Sequence, residues 1–311
     1  MKIVVFGGYM NDKQRLLIQY ICDGDIKKAQ QQARIILNEL TTAKDEAFRI
    51  NMLHKLDAKP NMIELPYNLR EFLVAEDVSN FPESRFVLRP EEAKIVEKVM
   101  SIVKASERLS ELGISYLPAV MLYGGSGGGK TILARYIAYK ANRPFVYVRF
   151  SSVVSSYLGN TQSNIAKVFE YARTAPCVLC FDEIDAVGMA RGQKNDVGEM
   201  NRIVIALMQE MDSLPNNVII IGTTNRYDRL DSALIRRFPI RHEVRPMSRS
   251  DINNLAERFF KYAGIVTDGW LKDWCDTNFL DIELASTVIE KCTQLMVDRI
   301  IQEIDTKKYN S

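Results

Sequence analysis

The chain has 311 residues, 47% of them apolar and 26% charged, with a formal net charge of +2. This is the balance of a soluble folded protein, so a disordered chain is excluded, and the length predicts two or three structural units. A nearly neutral charge supplies no bulk attraction to nucleic acid, and no apolar run approaches the roughly 18 residues of a membrane span.

The opening Met1-Lys2-Ile3-Val4-Val5-Phe6-Gly7-Gly8 is too short an apolar stretch for a secretory leader. A cytoplasmic location without a membrane partner is therefore expected. Five cysteines, at positions 22, 177, 180, 275 and 292, are odd in number and scattered, which suits a reducing compartment rather than a disulfide framework. Cys177-Val178-Leu179-Cys180 has C-x-x-C spacing, but His54 and His242 are the only histidines and no second ligand pair for zinc is evident. On a strand, residues three apart face opposite sides, so these are expected to be core thiols.

Residues 11–56 carry Ile26, Ala29, Ala33, Ile36, Leu40, Ala43, Ala47, Ile50 and Leu53 at spacings of three and four. Cys22-Asp23-Gly24-Asp25 reads as a turn, and Thr42 followed by Asp45 resembles a capping box. Three helices are predicted, at 11–22, 26–40 and 43–56. Segment 57–90 contains Pro60, Pro66, Pro82 and Pro90 and little periodicity, which marks a connection and places a domain boundary near residue 84. Residues 91–112 return to helical spacing and end at Gly113.

From there strand and helix patterns alternate. Strands are predicted at 119–123, 145–149, 177–181, 218–221 and 240–245, with helices at 130–141, 161–173 and 199–211. The class is therefore α/β, a parallel sheet covered by helices on both faces, with any ligand at the carboxyl ends of the strands. Residues 248–311 show no strand pattern and read as a separate helical unit. The expected division is thus 1–84, 85–247 and 248–311.

The chemistry begins where the first of these strands breaks into glycines. Gly124-Gly125-Ser126-Gly127-Gly128-Gly129-Lys130-Thr131 matches G-x-x-x-x-G-K-[ST] between an apolar strand and an amphipathic helix. Successive backbone N–H groups in such a loop, with the positive end of the helix behind them, form a cradle for nucleotide phosphates. Lys130 is expected on the β- and γ-phosphates of ATP and the Thr131 hydroxyl on Mg²⁺.

The strand Cys177–Phe181 delivers Asp182 and Glu183 side by side at its end, where adjacent acids are costly unless a cation uses them. Asp182 is expected to hold Mg²⁺ through water and Glu183 to polarise the attacking water. The strand Val218–Ile221 runs into Gly222-Thr223-Thr224-Asn225, a polar tip able to hydrogen-bond that water or the phosphate. Arg236-Arg237-Phe238 follows, and a guanidinium supplied by a neighbouring subunit is one way to stabilise the charge that develops in phosphoryl transfer.

The order Gly-Lys-Thr, Asp-Glu-Ile-Asp, Thr-Thr-Asn and Arg-Arg-Phe at these separations resembles an AAA+ ATPase over about residues 85–311. The stretches "FDEIDAV", "RIVIALMQEMDSL" and "TTNRYDRLDSALIRRF" resemble its protein-remodelling branch, which includes katanin, spastin and the metalloprotease-coupled and proteasomal ATPases. The resemblance implies Asp182 as magnesium acid, Glu183 as catalytic base, Asn225 as first sensor and Arg236 with Arg237 as fingers acting in trans. It further implies a homo-oligomeric ring, typically of six subunits, and a pore loop at Tyr157-Leu158-Gly159 that grips a polypeptide. The resemblance does not extend to the leading 84 residues, which are expected to dock a separate effector.

The chain departs from that pattern in three places. The two prolines usual in the glycine loop are absent; Leu280-Asp281-Ile282-Glu283-Leu284 stands where the lid commonly has Ser-Gly-Ala-Asp-Leu; and the pore glycine is followed by Asn160-Thr161-Gln162 rather than acids. The expected function is ATP hydrolysis by a ring that remodels a protein partner. The alternative is a nucleic-acid-associated loader or regulator, which needs basic pore loops. Ser155–Asn160 carries no charge, and Met189–Asp196 has only Arg191 and Lys194 as basic residues. No His-Glu-x-x-His occurs, so any proteolysis belongs to another polypeptide.

Overall fold

The structure, a computed structural model, describes residues 11–22, 26–39, 49, 65–155, 161–185 and 197–309. The chain divides into two compact units, Met1–Asn61 and Met62–Ser311. In the first, α1 (Asp12–Cys22) and α2 (Ile26–Asn38) pack as a pair. Ala29 and Leu37 are buried, and Gln32 Nε2 donates to Lys13 O at 3.3 Å. The third helix expected at 43–56 lies outside the described residues apart from Arg49.

The second unit is built on a six-stranded sheet in the order β1-β3-β4-β5-β2-β6. Its strands are β1 (Leu73–Glu76), β2 (Ala119–Tyr123), β3 (Phe145–Val148), β4 (Val178–Phe181), β5 (Ile219–Thr224) and β6 (Ile240–Glu243). Five are parallel, at the predicted places; β1 is an antiparallel edge strand paired Leu73↔Val148 through Glu76↔Phe145.

This edge strand corrects the reading of 57–90 as a connection. Leu69, Phe72 and Leu73 are buried in the main core, so the boundary between units falls at 61/62 rather than near 84. Four residues are too few for period-two patterning to register, and only pairing with β3 makes them a strand.

Alternation along the strands divides the core in two. Ala119, Met121, Cys177, Leu179, Val218 and Ile220 face one side, under α5 (Phe150–Ser155), α6 (Thr161–Thr174) and α7 (Val197–Asp212). Val120, Leu122, Val178, Cys180, Ile219 and Ile221 face the other, under α3 (Pro90–Glu111) and α4 (Lys130–Lys140). The short α8 (Ser232–Arg236), capped by Asp231, closes the chain back to β6.

A third core joins α9 (Arg249–Tyr262), α10 (Leu271–Asn278) and α11 (Ala285–Tyr309) through Ile252, Phe260, Cys275 and Val288. It also contains a two-residue ladder, β7 (Met247–Ser248) with β8 (Ile282–Glu283), where the sequence showed no strand pattern. Among the described residues no helix is long and apolar enough to cross a membrane.

Cys177 and Cys180 enter the cores on opposite faces of the sheet, as their spacing on a strand requires. Burial pushes the Cys177 thiol up to about 12, Cys292 to about 12 and Cys275 to about 11, and raises Cys180 well above the ordinary value. These thiols stay protonated and shielded, whereas Cys22 is exposed. Iodoacetamide at pH 8 is expected to label Cys22 alone in the folded chain and all five cysteines in urea, as read by mass spectrometry. Labelling of Cys177 or Cys180 in the native protein would show that β4 is not buried as described.

Candidate functional site

Three strands end at one place. The loop after β2, the acids after β4 and the tip of β5 converge at the carboxyl edge of the sheet around a cavity of about 600 Å³. Ser126, Gly127, Gly129, Lys130 and Thr131 line it from the loop, Asp182 and Glu183 from β4, and Thr223, Thr224 and Asn225 from β5. Lid helix α11 closes one side with Ala285, Ser286, Ile289 and Glu290.

The loop has this shape because of what surrounds it. At Gly124 the backbone has φ of +140°, and a Cβ there would lie 2.4 Å from Val244 O. At Gly127, φ is +75° and a Cβ would lie 2.4 Å from Ser286 Oγ. The first glycine lets β2 leave the sheet beside β6; the second lets α11 approach, and Ser286 N donates to Gly127 O at 3.1 Å.

Lys130, the first residue of α4, is buried, and its ammonium donates to Gly124 O at 2.9 Å, Gly125 O at 2.8 Å and Asn225 Oδ1 at 2.6 Å. Burial lowers its pKa below the ordinary lysine value, opposed in turn by Asp182, Asp185 and Glu183. Asp182 and Glu183 from one predicted motif and Asn225 from another, joined by Asp185, thus surround the same ammonium.

Thr131 Oγ1 lies 3.3 Å from Asp182 Oδ2, and Thr223 Oγ1 donates to Asp182 Oδ1. Glu183 is exposed toward the cavity and has φ of +52°, the left-handed region that side-chain-bearing residues seldom occupy. Its N–H donates to Thr223 Oγ1 at 3.3 Å, and Ile184 N donates to Thr223 O at 3.0 Å. One residue further on, Thr224 Oγ1 donates to Asp185 Oδ1 at 2.7 Å. The acid turn is thereby tied to β5 along its length.

The two predicted finger residues stand apart from this cavity. Arg236 ends α8 and is exposed, while Arg237 donates to Asp212 through Nε at 3.2 Å and Nη2 at 3.0 Å. Neither lines the cavity of its own chain. Tyr157, Leu158 and Gly159 lie outside the described residues, as does the second candidate loop at 189–196.

Several lining residues escaped the sequence reading. Arg135 follows Thr131 by one helical turn, a spacing that would have placed it on the cavity face; it pairs with Glu76 of β1 at 2.8 Å. Arg85 has no local signal, since it sits in a segment whose place comes from tertiary packing; its guanidinium lies 5.5 Å from the Phe259 ring of α9. On the lid, Ala285, Ser286, Ile289 and Glu290 line the cavity, because α11 begins at Ala285 and turns its first turns inward.

A glycine loop closed by Lys-Thr after β2, an acid pair two strands away and a polar strand tip between them define a P-loop nucleotide-binding domain. Residues 120–246 match the family described as "ATPase family associated with various cellular activities (AAA)", and this part of the chain is an AAA domain with the mixed α/β fold of the AAA+ class. Over 167 residues it is 38% identical to the peroxisomal ATPase pex6 of Schizosaccharomyces pombe, covering 52% of this chain and 17% of that protein. Over 170 residues it is 36% identical to the ATP-dependent zinc metalloprotease FtsH of Parabacteroides distasonis, covering 53% of this chain and 25% of that protein. It is also 36% identical over 146 residues to the uncharacterized AAA family ATPase y4kL of Sinorhizobium fredii, covering 46% and 44%. The chain spans less than half the length of each of these relatives.

Gly124→Ala is expected to lower stability by roughly 2 kcal/mol or more, combining the strained φ with the clash against a backbone carbonyl. It should also abolish binding of a fluorescent ATP analogue. A variant with wild-type melting and wild-type nucleotide affinity would contradict the described path of the loop.

Proposed function

We propose that the chain is an ATP-hydrolysing AAA+ motor that assembles as a homo-oligomeric ring and remodels a protein partner. The observation that carries this reading is the meeting of Lys130, Asp182, Glu183 and Asn225 around one cavity, with Arg236 and Arg237 placed outside it. Every group needed to bind and attack a terminal phosphate is present in one chain except a cation facing the transferred group from outside.

The residues suit magnesium–ATP. Thr131 Oγ1 and Asp182 Oδ2 are hard oxygen donors 3.3 Å apart at the mouth of the loop, and Mg²⁺ bound with a nucleotide needs only one or two such protein ligands beside phosphate and water. When bound, the ion supplies counter-charge to the β- and γ-phosphates. Lys130 exchanges its bonds to Gly124 O, Gly125 O and Asn225 for phosphate oxygens. That exchange frees Asn225 to orient water or the γ-phosphate. Glu183, aimed by its left-handed backbone, accepts the proton of the attacking water.

Arg236, exposed and at the end of α8, is the better placed of the two to reach a neighbour's site. Arg237 is held by Asp212, so its part in the interface includes positioning this turn. A hexamer, the pore loop at Tyr157–Gly159, a cytoplasmic setting and an effector docked on the N-terminal helices complete the proposal. The likeness to an ATP-dependent zinc metalloprotease favours a polypeptide over nucleic acid as the substrate.

Glu183→Gln is expected to bind ATP normally and to lose at least about a hundredfold in turnover; Arg236→Ala should lose as much. Turnover per subunit should rise with protein concentration in the wild type. Mixing the two inactive variants should restore activity, because the intact site of the Arg236→Ala chain meets the intact arginine of the other. Full turnover by a dilute monomer, or no recovery on mixing, would overturn the ring mechanism.

A further inference from the structure

The hydroxyl of Thr223 has no part in the scheme above, although it sits at the junction of both acids. Thr223 is fully buried near the end of β5, at a place where valine would fill the same volume and suit a strand equally well. A hydroxyl removed from water is costly unless it is hydrogen-bonded, so its partners explain its presence.

Those partners are the two residues that carry the chemistry. Thr223 Oγ1 donates to Asp182 Oδ1, accepts from Glu183 N at 3.3 Å, and the Thr223 carbonyl accepts from Ile184 N at 3.0 Å. β4 and β5 run parallel with Phe181 opposite Gly222, so Thr223 meets the chain just where β4 leaves the sheet and turns. The donation to Oδ1 sets the rotation of the carboxylate and leaves Oδ2 facing Thr131 at 3.3 Å. The bond to the Glu183 amide restrains a backbone held at φ of +52°.

We infer that Thr223 is a positioning residue that acts on both halves of the reaction: it presents Asp182 Oδ2 to the magnesium of magnesium–ATP and holds the Glu183 backbone in the conformation that aims its carboxylate at water. Nothing in the four motifs assigns this role, since the sequence alone pointed the Thr-Thr-Asn tip at water or phosphate. The inference rests on the ATPase reading of the site.

Its test uses the full chain with Thr223→Val, Thr223→Ala and Thr223→Ser, each checked for a wild-type circular dichroism spectrum. Binding of a fluorescent ATP analogue is measured in EDTA and then as a function of Mg²⁺, alongside kcat and KM. Groups that orient a metal-holding carboxylate cost roughly 10- to 100-fold in metal affinity or rate when removed. The valine and alanine variants should therefore bind the analogue as the wild type does in EDTA, need correspondingly more Mg²⁺, and lose kcat with little change in KM. Serine, which keeps the hydroxyl, should restore both.

Wild-type magnesium dependence and kcat in a folded valine or alanine variant would overturn the assignment, as would a serine variant impaired as badly as valine. If the wild type hydrolyses no ATP, the ATPase reading fails by itself. The magnesium titration then decides the role of Thr223: an unshifted midpoint rejects it, and a shifted one retains its action on Asp182.

Discussion

Lys130 brings a positive charge into a place nearly closed to water, and most of the site follows from how that charge is compensated. A buried ammonium needs an acceptor for each of its three protons. Two are carbonyls of the loop it follows and the third is Asn225, from a strand on the other side of that loop. The lysine therefore joins the first and third motifs physically, while Asp182, Asp185 and Glu183 surround it with opposing charge. Phosphate oxygens can replace those acceptors one for one, so the arrangement that stabilises the free chain is also the one that recognises an anion.

The loop around this lysine is shaped from two sides by close approaches that leave no free room for a Cβ, a backbone carbonyl at Gly124 and a serine side chain at Gly127. Val244, just beyond β6, occupies the space beside Gly124, and Ser286, at the start of α11, occupies the space beside Gly127. The second contact places the lid against the phosphate loop, with Ser286 N donating to Gly127 O. Movement of α11 would thus be felt at the loop directly. This matters because the loop lacks the two prolines common in its family: stiffness that proline would supply through the chain itself is supplied here by contact with neighbouring elements.

Much of this was legible in the sequence, for a definite reason. Strands β2 to β6 and helices α3, α4, α6 and α7 carry their signal in local patterning, because a buried parallel strand must be apolar throughout and a covering helix must be apolar on one face. The Gly-Lys-Thr and Asp-Glu groups were equally plain, since each is a dense local pattern with few structural uses. Strand β1 was not legible: four residues between prolines become a strand only through pairing with Phe145–Val148. Arg85 and Glu290 were silent likewise, as neither belongs to a pattern that points inward until the lid is packed.

By itself the sequence determined the class of fold and placed the glycine loop, the acid pair and Asn225 at strand ends, because spacing along a strand or helix dictates which face a residue occupies. Tertiary structure alone decided the boundary between the units, the residues by which the lid meets the cavity, and the link from Thr223 to Asp182 and Glu183. Each of these joins positions tens of residues apart, and local periodicity carries no information about which distant segments will touch. That is settled only when strands choose neighbours and the buried polar groups must find partners.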